Sequence, residues 1–203
     1  MSAGFSTLNI TQLAPLCFQD RFDSSPVLAG QLIATSMAVN IPMNLVTGGV
    51  ESLLMRSGVP LLRIRQLMSS VAALGTAAAS LLYGTAQRPA TAMGAMAMYF
   101  ISHQFNNSGF FPNFQELGGV DASLLTSTAN TLASSAAVLV APISVALRRL
   151  TGGWRAQYLV SAALLATTGL LYAASLSVEP ARELLARRTE KPRLGGEEGG
   201  RVR

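Results

Sequence analysis

The sequence predicts an all-α membrane protein, a bundle of about five transmembrane helices. Between residues 27 and 177 the chain runs through five apolar stretches separated by short polar breaks. Only 12% of its 203 residues are charged, whereas soluble domains average about 25%, and its mean hydropathy is +0.39. Continuous apolar runs fit helices, because the strands of membrane barrels are shorter and alternate apolar with polar residues.

The five predicted spans follow the apolar runs in order. Each is long enough to cross a hydrocarbon core of about 30 Å. They cover residues 27–55, 67–85, 91–114, 122–147 and 158–178. Prolines at positions 42, 112 and 142 lie inside or near the ends of spans, and each should kink its helix because proline has no N–H to donate.

Small residues recur four positions apart in several spans, a spacing that lets helix backbones approach closely in lipid. The pairs and triplet are Ala90 with Gly94, Gly75 with Ala79, and Ser127 with Thr131 and Ser135.

Three regions divide the chain. Residues 1–24 form a polar N-terminal segment, residues 25–178 the helix bundle, and residues 179–203 a charged, glycine-containing tail that we expect to be disordered. Alternating spans put ten basic residues, including the tail, on one side and five on the other. The positive-inside rule then predicts a cytoplasmic tail. When only basic residues close to the ends of the spans are counted, there are about six on one side and five on the other.

Several functional classes find no support in the sequence. No signal peptide is visible. The single cysteine, Cys17, has no internal disulfide partner, and neither Cys17 nor the lone His103 belongs to a metal-ligand pattern. No nucleotide-binding loop or nucleophile elbow occurs, so we predict neither enzyme activity nor a cofactor. The net charge of +5 comes from loops and tail, which argues against nucleic-acid binding.

The loop between the first two spans carries a charged latch. Its members are Glu51, Arg56 and Arg65. An acid at the edge of hydrocarbon is costly unless it is paired, so we expect Glu51 to lie within ion-pair reach of one of these arginines. The alternative is a solvated interfacial loop.

A polar stripe follows one face of the third span, where Tyr99, His103, Asn106, Phe110 and Asn113 recur at three and four residues. Such a face usually points into the bundle or a water-filled cavity. The predicted substrate pathway consists of Tyr99, His103, Asn106, Asn107 and Asn113, with Asn130 of the fourth span. His103 could relay protons, because histidine titrates near neutral pH. The alternative is that these groups only bond to neighbouring helices or pack against them.

The latch loop, residues 48–65, resembles the loop that joins helices eight and nine in twelve-helix transporters of the major facilitator superfamily. Residues 13–18, 108–117, 122–131 and 154–158 resemble the end of helix seven, the end of helix ten, and the starts of helices eleven and twelve. The branch is the anion:cation symporter family, which includes sialin, the vesicular glutamate transporters and sodium–phosphate cotransporter relatives. In this sequence Glu51 replaces the usual aspartate and Thr47 the usual loop glycine.

The resemblance implies the C-terminal half of a secondary-active transporter that moves small organic anions or inorganic phosphate by alternating access, with a coupling proton or sodium. Residues 1–24 would then hold the end of helix seven. The implied partners are the lipid bilayer and a missing N-terminal half or a second chain. The family's charged substrate-binding residues lie largely in that other half, so none carries over. The alternative is a non-transporting half-carrier remnant or modulator of a full-length relative. Plasma, vesicular, lysosomal and plastid membranes all fit such a multi-pass protein.

Overall fold

A computed structural model describes residues 13–179, apart from the side chains of residues 32, 136 and 137. Within that range the chain is helical and contains no strand, as the all-α prediction requires. The first twelve residues and nearly all of the predicted tail lie outside the described residues. The helices are α1 (Ala14–Phe22), α2 (Pro26–Ala38), α3 (Asn40–Arg56), α4 (Leu61–Thr85), α5 (Pro89–Gln104), α6 (Phe110–Gly118), α7 (Ala122–Val138), α8 (Val140–Thr151) and α9 (Arg155–Ser175).

Four helical stretches of the described chain are long and apolar enough to cross a membrane, which indicates a membrane protein. They are Pro26–Arg56, Leu61–Thr85, Pro89–Thr151 and Arg155–Ser175. The third has 63 residues, and a straight helix of that length would extend about 95 Å. It contains both the third and the fourth predicted spans. The chain reverses inside it at Gly119, whose φ is +51°, so that α6 and α7 pack against each other.

Prolines account for three interruptions of the helices. Val39, Gly109 and Leu139 leave the helical pattern, and each lies three residues before a proline. A proline lacks an N–H and its ring crowds the carbonyl four residues earlier, so the helix is weakened in the turn before the proline. The helices are therefore interrupted just upstream of the prolines, as loss of the proline N–H predicts.

Helix α4 lies between α5 and α9, and both contacts depend on glycine. A Cβ at Gly75 would overlap Ser102 of α5, and one at Gly169 of α9 would overlap Ala73 of α4. The close approach predicted for Gly75 is therefore confirmed. The Ala90–Gly94 spacing does not mark such a contact, because a Cβ at Gly94 would meet no described atom within 4 Å.

Helix α7 is the most exposed part of the bundle. Its Leu124 and Leu132 side chains are 67% and 52% exposed. The hydroxyls of Ser127, Thr131 and Ser135 donate to carbonyls of their own helix. These hydroxyls therefore have hydrogen-bond partners within α7 itself. The three residues do not mark a contact between helices within the described chain, although their spacing predicted one.

The N-terminal segment was predicted to be polar, but its described part includes a helix that contributes to the core. In α1, Ala14, Cys17 and Phe18 are at most 1% exposed. They pack in one apolar cluster with residues of α4 and α9, among them Tyr83 and Tyr158.

Candidate functional site

A buried arginine joins three helices at one end of the bundle. Arg65, in the second turn of α4, is 6% exposed. Its Nη1 donates to Glu51 Oε1 of α3 at 2.6 Å, and its Nε and Nη2 donate to Glu116 Oε1 of α6 at 2.9 and 2.7 Å. The guanidinium group is thus held between two carboxylates by charge-assisted hydrogen bonds, the strongest kind in proteins.

The same guanidinium also satisfies a carbonyl that proline leaves without a helical partner. Arg65 Nη1 donates to the carbonyl oxygen of Ser108 at 2.5 Å. In a continuous helix that oxygen would accept from the N–H four residues later, but position 112 is proline. The interruption before α6 therefore leaves a carbonyl oxygen free to accept a hydrogen bond from Arg65.

A chain of hydrogen bonds extends the cluster to α9. Glu116 Oε2 accepts from Asn113 Nδ2 at 3.5 Å, and Asn113 Oδ1 accepts from the Tyr172 hydroxyl at 2.8 Å. Asn113 Nδ2 also donates to the carbonyl of Ser177 at 2.6 Å. We call the set Glu51, Arg65, Glu116, Asn113 and Tyr172 the latch network. It ties α3, α4, α6 and α9 together.

The predicted ion pair between Glu51 and Arg65 is present, and because Arg65 is buried, a solvated loop does not describe it. Arg56 is exposed and forms no ion pair with a carboxylate of the described residues. Sequence reasoning missed Glu116. The signal was available, since Glu116 is a second acid near the end of an apolar span and needs a partner for the same reason as Glu51.

A mostly apolar cavity with a few polar side chains lies beside the latch network, between α4, α5 and α9. Its volume is about 270 Å³, and Tyr99, His103 and Asn106 of the predicted stripe line it. Ser69 of α4 also faces it. The Ser69 hydroxyl is buried close to Gly109 and has no hydrogen-bond partner among the described residues.

Phe110 of the stripe also lines this cavity, whereas the other residues of the predicted substrate pathway do not. Asn107 Nδ2 donates to Asn44 Oδ1 of α3 at 2.6 Å, as the helix-bonding alternative expects. Asn113 belongs to the latch network. Asn130 is exposed on α7, without a hydrogen-bond partner within residues 13–179.

The other end of the bundle carries a second charged cluster. Arg148 Nη2 pairs with Asp20 Oδ2 at 2.6 Å, and Trp154 Nε1 donates to the same oxygen at 2.9 Å. Arg21 Nη1 donates to the carbonyl of Tyr83 at 2.9 Å. Residues 65 and 83 of α4 are about 27 Å apart along a helix axis, close to the hydrocarbon thickness of about 30 Å. Arg65 and Arg21 therefore lie at opposite ends of the described bundle, as alternating spans require.

No family model matches this chain, and no curated protein is significantly similar to it. The described residues also hold no group of three or more His, Cys, Asp or Glu side chains suited to a metal ion. The fold defines an all-α bundle with helices suited to a membrane.

Proposed function

We propose that the chain acts as the C-terminal half of a secondary-active transporter for small organic anions or inorganic phosphate. The observation that carries the proposal is Tyr172, a member of the latch network that also lines the cavity. A closed network at one membrane face, adjoining a cavity that contains a few polar groups, is the arrangement that alternating access needs. The resemblance of residues 48–65 to a transporter loop supports the same function.

The latch network would serve as the cytoplasmic gate. While Arg65 holds Glu51 and Glu116, the ends of α3 and α6 stay against α4 and close that face. Rocking of two halves around a midplane site would have to separate these carboxylates from the guanidinium. Alternative partners for the charges, such as water in an opened vestibule, would compensate for the lost contacts.

The cavity contributes hydroxyl, amide and imidazole groups, and apart from His103 its described lining holds no basic side chain. An anion bound there would need positive charge from a facing half, because a buried unpaired charge is very costly. His103 is the group that would carry a coupling proton, since histidine is the side chain that ordinarily titrates near neutral pH.

Helix α7 is the surface that a second half or a second copy of the chain would cover. An amide such as Asn130 on an apolar helix is unfavourable against lipid and is normally turned inward or bonded. In this bundle it is exposed. A facing helix bundle would remove both this amide and the exposed leucines of α7 from lipid.

A non-transporting remnant or modulator is the second candidate, and it would keep the same latch and cavity. Uptake into proteoliposomes separates the two. The chain alone and the chain fused to the N-terminal half of a family transporter would be supplied with radiolabelled phosphate, glutamate and sialic acid.

We expect no saturable uptake by the chain alone, and saturable uptake of one substrate by the fusion. Asn106→Leu should abolish it, whereas Asn107→Leu, which alters a side chain outside the cavity lining, should reduce it far less. Saturable uptake by the chain alone would contradict its role as one half. A folded fusion that transports nothing would favour the remnant.

A further inference from the structure

The end of the bundle opposite the latch network contains a second cavity that the transport proposal does not use. Its volume is about 450 Å³, within the range of about 300–1,000 Å³ typical of small-molecule sites. Three arginines line it, Arg21, Arg148 and Arg155, against one carboxylate, Asp20. Positive charge is therefore in excess.

The three guanidinium groups differ in how they are satisfied. Arg148 is paired with Asp20 and also lies 4.7 Å from the centroid of the Trp154 ring. Arg21 donates to the backbone carbonyls of Tyr83 and Ala86. These contacts fix the direction of Arg21 but do not neutralise its charge. Arg155 is exposed and has no carboxylate partner among the described residues.

The position of Arg155 adds to the excess. It is the first residue of α9, a helix of 21 residues. The N-terminus of a helix carries partial positive charge, so a cation there is unfavourable and an anion is favourable. The first turn of α9 has no acidic residue, and Trp154 at its N-cap supplies no side-chain hydrogen bond. An anion in the cavity would neutralise the charge of Arg155 and would also interact favourably with the uncapped N-terminus of α9.

We propose that this cavity binds a phosphate group, either of free inorganic phosphate or of an anionic lipid headgroup. Arginine forks match phosphate oxygens in pairs, and Arg21 is already held in place by backbone carbonyls. Arg155 would supply the mobile charge that closes on the ligand. The site is independent of the proposed transport pathway, because it lies at the other end of α4 from the latch network.

Trp154 provides the readout, since it is the chain's single tryptophan and lines the cavity. The protein in a neutral detergent would be titrated with sodium phosphate at constant ionic strength while Trp154 fluorescence is recorded. In a second arm, the protein in phosphate-free buffer would be compared in phosphatidylcholine nanodiscs with and without phosphatidylglycerol. Arg155→Gln is the test variant. Arg149→Gln is the matched control, because Arg149 is exposed near the same end but does not line the cavity.

We expect a saturable fluorescence change whose Kd rises on the order of tenfold in Arg155→Gln, as for loss of one charge-assisted contact. Arg149→Gln should stay within about twofold, since exposed distant charges are screened by salt. A response to phosphate in detergent identifies the free ion, and a response confined to phosphatidylglycerol identifies a lipid headgroup. Absence of a saturable response in both arms, or equal losses in the two variants, would overturn the proposal.

Discussion

Replacing Arg65 with methionine tests the latch network most severely. The change removes the cation that pairs with both Glu51 and Glu116, whose side chains are 18% and 19% exposed. Breaking a buried ion pair by deleting one partner costs about 3–5 kcal/mol, because a charge is left unpaired. Two carboxylates are stranded here, but water reaches about a fifth of each. We therefore expect a loss of about 3 kcal/mol in the free energy of unfolding, roughly a hundredfold in the folding equilibrium.

The assay is unfolding by SDS in mixed micelles, followed by Trp154 fluorescence. Arg63→Met is the control, because Arg63 lies two residues away on the same helix and is exposed; it should change stability by no more than about 0.5 kcal/mol. Adding Glu51→Gln and Glu116→Gln to Arg65→Met should recover much of the loss, since no unpaired charge then remains. Equal effects of Arg65→Met and Arg63→Met, or a further loss in the triple variant, would refute the reasoning.

Two further substitutions probe packing and hydrogen bonding. Gly169→Val should lower the melting temperature strongly because its Cβ would overlap α4, whereas Gly94→Val, with open space around it, should not; equal melting temperatures would contradict the close approach of α4 and α9. Asn113→Leu should cost about 1–3 kcal/mol in SDS unfolding, because a part-buried carbonyl and a tyrosine hydroxyl lose their partner. The control Asn130→Leu, at an exposed amide, should leave stability within about 0.5 kcal/mol, and a loss there equal to that of Asn113→Leu would contradict the network.

The sequence was enough to predict the helical class and the pair between Glu51 and Arg65. Apolar run length decides the class, and the two charges lie only 14 positions apart across one turn. Glu116 is 51 residues from Arg65 in the chain. Periodicity within a span cannot show which distant span end lies beside a given arginine, so this carboxylate needed the folded chain.

The polar stripe shows the same limit. Helical spacing put Tyr99, His103 and Asn106 on one face, and the structure places all three on one cavity. Spacing cannot show which residues of that face line a cavity and which contact a neighbouring helix. Helix α5 ends at Gln104 and α6 begins at Phe110, so the spacing of a single helix does not continue from one to the other, and Asn113 joins the latch network instead.

The central claim, a bundle that crosses a membrane with the latch network at the cytoplasmic face, is tested most directly by sided labelling. The lone cysteine would first be replaced by alanine, and single cysteines then placed at positions 63 and 88, near opposite ends of α4. An impermeant thiol reagent applied to intact cells should label position 88 and leave position 63 unlabelled until the membrane is permeabilised. Position 193 in the tail should behave like position 63. Labelling of 63 and 88 from the same side would contradict the account.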